Sequence, residues 1–128
     1  MSKITHCISS FNNLNYLKLA IKSVRENSHF SDSPIIIHAE NCQDGTDEWL
    51  KNNSKFFNFE YYIEKNDIPR GIGGGMNFCA SKVKTEFINF LHADFYVAKN
   101  WDLELLKVFD KYPNQRMIVF SHCFFFFF

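Results

Sequence analysis

The sequence has no surplus of charge of either sign: fourteen basic side chains balance fourteen acidic ones over 128 residues. No long-range field therefore gathers nucleic acid or an anionic membrane surface, and an anionic ligand must be held locally. Long apolar runs are also lacking. Nothing approaches the ~20 residues of a membrane span, and the opening Met-Ser-Lys-Ile-Thr-His-Cys has no signal-peptide core. Cys7, Cys42, Cys79 and Cys123 stand far apart with no Cys-x-x-Cys pair, which argues against a zinc or thioredoxin-like site and fits reduced thiols in a soluble, cytoplasmic protein. Dinucleotide and P-loop fingerprints are missing too. Counting Gly-x-Gly-x-x-Gly from Gly71 puts Met76 in the last place, counting from Gly73 puts Phe78 there, and no Gly-Lys-Ser/Thr follows.

What is present is an alternation of short β-favouring runs and helical periodicities. Residues 4–9 read as a first strand ending in the polar turn Ser10-Phe11-Asn12-Asn13. Leu14, Leu17, Ile21 and Val24 recur at helical spacing, with Asn12 or Asn13 placed to cap the first turn. Three consecutive isoleucines in residues 34–40 mark a strand covered on both faces, closed by Glu40. Asp44 then reads as a helix cap, with Asp47 and Glu48 in the first turn and Trp49 and Leu50 on the buried side. Residues 56–64 alternate as a strand with one wetter face, at an edge. A glycine-rich loop over 66–77 runs into a helix over 76–84, and Asn100 caps a last helix carrying Trp101, Leu105, Leu106 and Phe109. This order predicts a mainly parallel open α/β sheet with right-handed crossovers and helices on both faces.

The stretch over 85–102 organises the rest. Phe87, Ile88, Phe90 and Leu91 form a short apolar run that suits a central strand buried on both faces. It stops at His92-Ala93-Asp94, where an open α/β sheet binds its ligands. Asp94 offers a hard oxygen ligand to a divalent cation, Mn²⁺ or Mg²⁺, with His92 on the same side of an extended backbone. Such a cation would hold a phosphate.

Four pieces in order carry a resemblance: Ser9-Ser10-Phe11-Asn12; Glu40 through Asp44-Gly45-Thr46; Asn66 with Gly71 to Asn77; and Phe90-Leu-His-Ala-Asp94. Over about residues 3–112 the chain resembles the amino-terminal half of family 2 glycosyltransferases, whose Rossmann-like GT-A fold binds a nucleotide-diphosphate sugar. The resemblance implies metal-dependent, inverting transfer of a sugar to a glycan, lipid or protein acceptor. It implies that Ser10, Phe11 and Asn12 lie against the base and ribose, and that Glu40, usually Asp in the family, accepts a hydrogen bond from either. Asn77 matches the asparagine of a frequent Arg-Asn pair; Met76 stands in the arginine's place, and Arg70 is the substitute from the loop. His92-Ala93-Asp94 occupies the Asp-x-Asp position, which makes Asp94 the metal ligand and His92 a second ligand, a ribose contact or a turn residue. Asp44-Gly45-Thr46 matches the family's Asp-Gly-Thr, although a helix cap explains it without any ligand. The family's catalytic base lies in the carboxyl-terminal half, so no catalytic residue is assigned. Glu104 and Asp110 fall on a helix, where a solvated face accounts for them. The chain thus reads as an incomplete GT-A-like domain over 1–120 with an anomalous tail over 121–128. The rival reading is a truncated, catalytically silent nucleotide-binding fragment.

Residues 117–120 suggest a further strand, but the five phenylalanines from Phe124 to Phe128 specify no periodic face or turn. Such a run is an aggregation hazard. Deleting Phe124 to Phe128 is expected to raise the soluble fraction, measured by sedimentation of matched preparations; equal solubility would refute the assignment.

Overall fold

The structure is a computed structural model that describes residues 2–114. Eight elements alternate strictly: β1 (Ile4–Ser10), α1 (Leu14–Asn27), β2 (Ile35–Glu40), α2 (Thr46–Phe57), β3 (Glu60–Glu64), α3 (Gly71–Ala80), β4 (Phe87–Phe90) and α4 (Trp101–Lys111). The four strands are all parallel and lie in the order β3-β2-β1-β4. The possible strand over 117–120 lies outside the described residues.

β1 and β2 are buried almost throughout because both their faces are covered. On one face Ile8, Ile35, Ile37 and Ala39 pack with Leu17, Ile21 and Val24 of α1, Leu50 of α2 and Val97. On the other, Cys7 and Ile36 meet Met76 and Cys79 of α3. Ile8, Ile35 and Ile37 are at most 1% exposed, and burying each contributes about 1.5–3 kcal/mol. Arg25 ties the first face together. Its guanidinium donates to the carbonyls of Phe57 and Asn58, satisfying the carboxyl end of α2, and to those of Ser31 and Ser33.

Several sequence expectations shift. β4 is not central: among the described residues it is the edge strand beside β1, and its burial alternates. α3 packs on β1 and β2, leaving Ile88 43% and Phe90 51% exposed. A four-residue apolar run does not reveal which neighbours will cover it. The strand expected over 56–64 is shorter, because α2 continues through Phe57 and only Glu60–Glu64 pairs with β2, at the other edge. The glycines expected in a loop are mostly helical, since α3 starts at Gly71 rather than near Met76. No side chain of Asn12 or Asn13 caps α1. The Leu14 amide donates instead to Asp44 Oδ2 at 2.8 Å, from the next loop.

Close packing explains one helical glycine and not another. A Cβ on Gly75 would stand 2.3 Å from Ser9 Oγ and 2.8 Å from His38 Nδ1, whereas one on Gly73 would meet nothing within 4 Å. Gly75→Ala is therefore expected to destabilise the fold by about 1–3 kcal/mol through overpacking. Gly73→Ala is expected to stabilise it by up to about 1 kcal/mol through helix propensity. Denaturant unfolding of the two variants checks the opposite signs.

His6 is fully buried on β1 beneath the Trp101 ring, with ring centroids 5.0 Å apart and no partner for Nε2 among the described residues. Burial lowers its pKa from 6.5 to about 4, only partly offset by Asp102. Below pH 6.5 the unfolded chain takes up a proton that folded His6 refuses, so this contribution is intact above pH 6.5 and is lost between pH 6.5 and about 4. The loss is on the order of 3 kcal/mol. His6→Leu is expected to flatten the fall in unfolding free energy across that window, measured by urea titration at successive pH values.

Candidate functional site

In a parallel sheet ordered 3-2-1-4, chain direction reverses its march between β1 and β4, and a crevice opens at the carboxyl ends of those strands. A cleft of about 410 Å³ occupies that place, within the range typical of small-molecule sites. Ser9, Ser10, Phe11 and Asn13 line it from the end of β1; Glu40 and Asn41 from the end of β2; Pro69, Gly71 and Ile72 from the start of α3; and His92, Ala93 and Asp94 from the segment after β4.

Of the residues singled out from the sequence, the fold brings Ser10, Phe11, Glu40, His92 and Asp94 to this cleft and leaves Asn12, Arg70 and Asn77 off its lining. Phe11 is 62% exposed, offering an open aromatic face. Asn12, in a left-handed backbone conformation, accepts a hydrogen bond from the Gln43 amide. Asn77 is exposed on α3. Arg70 turns to β3, where Nε and Nη2 reach Glu64 Oε2 and Oε1 at 2.7 and 3.2 Å, and its guanidinium lies over the Phe78 ring. Ser9, Asn13, Asn41, Pro69 and Ile72 also face the cleft and were not singled out as ligand contacts. Their signal was only adjacency to motifs already noted, since neither turn chemistry nor periodicity marks a lining residue.

The segment after β4 is a turn rather than the extended chain expected, closed by the Phe95 amide on the His92 carbonyl at 3.1 Å. Both His92 and Asp94 are exposed on the cleft. The His92 ring leans on Phe95, with centroids 5.0 Å apart. The Asp94 carboxylate has no hydrogen-bond or ion-pair partner among the described residues, so it is free to take a ligand. Nor do three His, Cys, Asp or Glu side chains there form a ready-made metal set. A cation at Asp94 would thus draw the rest of its ligands from substrate oxygens and water, which suits a hard cation such as Mg²⁺ with few protein ligands.

Glu40 is held more firmly. Its Oε1 accepts from Asn66 Nδ2 at 2.7 Å and from the Arg70 amide at 2.8 Å, and Oε2 accepts from the Gly71 amide at 3.1 Å. These donors, the Arg70 amide foremost, hold its pKa below the ordinary carboxylate range. Beside it, Glu64 accepts from Arg70, from buried His38 Nε2 at 3.0 Å and from Asn66, and these bonds lower its pKa to about 2. Asp44 is occupied in the fold as well. Oδ2 takes the Leu14 amide, while Oδ1 takes the Thr46 amide and hydroxyl, so one carboxylate serves the starts of both α1 and α2.

The described helices include none long and apolar enough to cross a membrane. Among curated proteins none matches this chain. Solved structures do. S. aureus TarS 1-349 superposes with a TM-score of 0.72 at 16% identity, over 94% of this chain and 39% of that one. The same protein in complex with UDP-GlcNAc gives 0.71 at 15%, over 94% and 38%. The mannosyltransferase PcManGT from Pyrobaculum calidifontis, in complex with GDP-Man and Mn²⁺, gives 0.67 at 14%, over 79% and 30%. At such identities the likeness establishes the α/β, Rossmann-like fold of the GT-A type, and the chain spans about two-fifths of the length of TarS 1-349. The model of "Glycosyl transferase family 2" matches residues 5–124, and with nearly the whole sequence under that match the chain belongs to glycosyl transferase family 2.

Proposed function

We propose that the cleft binds the nucleotide-diphosphate part of a sugar donor with a divalent cation on Asp94, for transfer of the sugar with inversion to a glycan, lipid or protein acceptor. The observation that carries this reading is the free Asp94 carboxylate in a cleft lined, among the described residues, by a second carboxylate, Glu40, and by no Lys or Arg. A diphosphate entering such a cleft meets net negative charge, and a divalent cation on Asp94, with His92 as second ligand or ribose contact, cancels that charge and gives the phosphate oxygens a local positive centre. Bound there, the cation would supply Lewis-acid stabilisation of the leaving diphosphate. The chain's own groups do the remaining work: Phe11 offers an aromatic face to a base, and beside it the Ser10 hydroxyl donates to Asn13 Oδ1 at 2.6 Å, which leaves the Asn13 side-chain nitrogen to donate to a ligand. Family membership supports this reading, as do structures of the same fold in complex with UDP-GlcNAc and with GDP-Man and Mn²⁺.

A second reading, nucleotide binding without turnover, is favoured by one fact. Glu40 and Asp94 are the carboxylates lining the cleft among the described residues; the first is bonded within the fold and the second is assigned to metal, so neither is placed as an acceptor base.

Titration calorimetry with UDP and GDP, with and without Mn²⁺, is expected to show binding that depends on the metal. Asp94→Ala is expected to weaken that binding about tenfold or more, or about 1.4 kcal/mol, while leaving thermal stability unchanged because the side chain is exposed and unbonded. Unaltered metal-dependent affinity in the variant would overturn the site. Release of sugar from UDP-GlcNAc or GDP-Man by the purified chain separates the two readings, since only the first requires turnover.

A further inference from the structure

The resemblance assigns the acid at the end of β2 to the base or ribose of the donor, yet in this chain that acid already has three partners. Glu40 reaches across the carboxyl end of the sheet and accepts the amides of Arg70 and Gly71, at 2.8 and 3.1 Å, and the Asn66 side chain at 2.7 Å. Those two amides open α3, whose first residue Gly71 has φ +69° and lines the cleft with Ile72. A helix start leaves several amides without an intrahelical partner and carries partial positive charge. No side chain of the flanking residue caps α3. Glu40 is 6% exposed, so its Oε1, with two donors, has both lone-pair directions filled, and Oε2 retains one.

We infer that Glu40 is a positioning residue: it caps α3 from the neighbouring strand and thereby fixes residues 66–72 as the wall of the cleft, rather than serving as the contact to the base. Its length matters. An Asp, one methylene shorter, would fall short of the two amides, so the Glu at this position follows from the job it does. Asn66 extends the device. It donates to both Glu40 and Glu64, while its own amide and carbonyl are taken by Asn41 Oδ1 and Nδ2, each at 2.9 Å. Glu64 in turn holds the Arg70 side chain. The loop is thus gripped at both ends by groups fixed on β2 and β3.

Residue-resolved amide exchange and nucleotide titration together test this. Glu40→Ala is expected to speed exchange at Arg70 and Gly71 about tenfold or more while β1 and β2 amides keep their protection. Glu40→Gln, the milder change, keeps one oxygen; Arg70 is expected to stay protected while Gly71 alone speeds up, and Glu40→Asp is expected to behave as Glu40→Ala. Only the nucleotide arm rests on the proposed donor site. With Mn²⁺ present, Glu40→Ala is expected to weaken UDP and its analogue methylated at the base imino nitrogen by the same factor, about fivefold. Unchanged exchange at Arg70 and Gly71 in both Ala and Gln variants would overturn the inference. So would a loss seen for UDP and absent for the methylated analogue, which is the signature of a base contact. Were the wild-type chain to bind no nucleotide, the donor reading would fall and the exchange arm would still decide the role of Glu40.

Discussion

The cleft depends on one constraint: backbone amides at the carboxyl edge of the sheet, beyond the reach of any ladder, must find acceptors, and side chains from other segments supply them. Asp44 takes the first amide of α1, Glu40 those that open α3, Asn12 that of Gln43, and Asn41 that of Asn66. On the opposite side of the molecule Asp102, fully buried at the start of α4, accepts the amides of His29 and Phe30. Helix starts and loops that would otherwise fray are pinned to one another, which leaves a rim with few free polar groups.

That economy gives the site its character. Acidic side chains near the cleft are numerous, but Asp44, Glu64 and most of Glu40 are already spent on neighbours within the chain. Asp94 stands apart as a carboxylate on the cleft with no partner among the described residues. In a protein with no net charge and, among the described residues, no Lys or Arg lining this cleft, the proposed diphosphate ligand would have to be held through a local cation rather than a field. The same neutrality makes Arg70 informative: it is the cation closest in sequence to the lining, and Glu64 holds it off.

Much of this was legible beforehand. The alternation of elements, the covered isoleucines of β2, the acid ending that strand and the polar residues His92 and Asp94 just past β4 each follow from local pattern. The order of four motifs pointed to the family that the comparison with known proteins then established. Less was legible about detail. The chain continues as helix through Phe56 and Phe57 where alternation suggested a strand, because α2 is closed by Arg25 from α1. Gly73 to Gly75 are helical where glycine content suggested a loop, because Glu40 stabilises the start of α3 and Gly75 lets it sit against Ser9 and His38.

The sequence by itself determined the element order, the parallel sheet and the positions that end its strands, since periodicity, β-branching and capping chemistry are local properties. Only the tertiary structure decided which polar residues are free. Glu40, Asp44 and Asp94 look alike in one dimension, and the Leu14, Arg70 and Gly71 amides that reach the first two come from segments 30 or 31 residues away. Whether a carboxylate is spent on its own backbone or left open to a ligand is settled by who its neighbours are, and only folding brings those neighbours together.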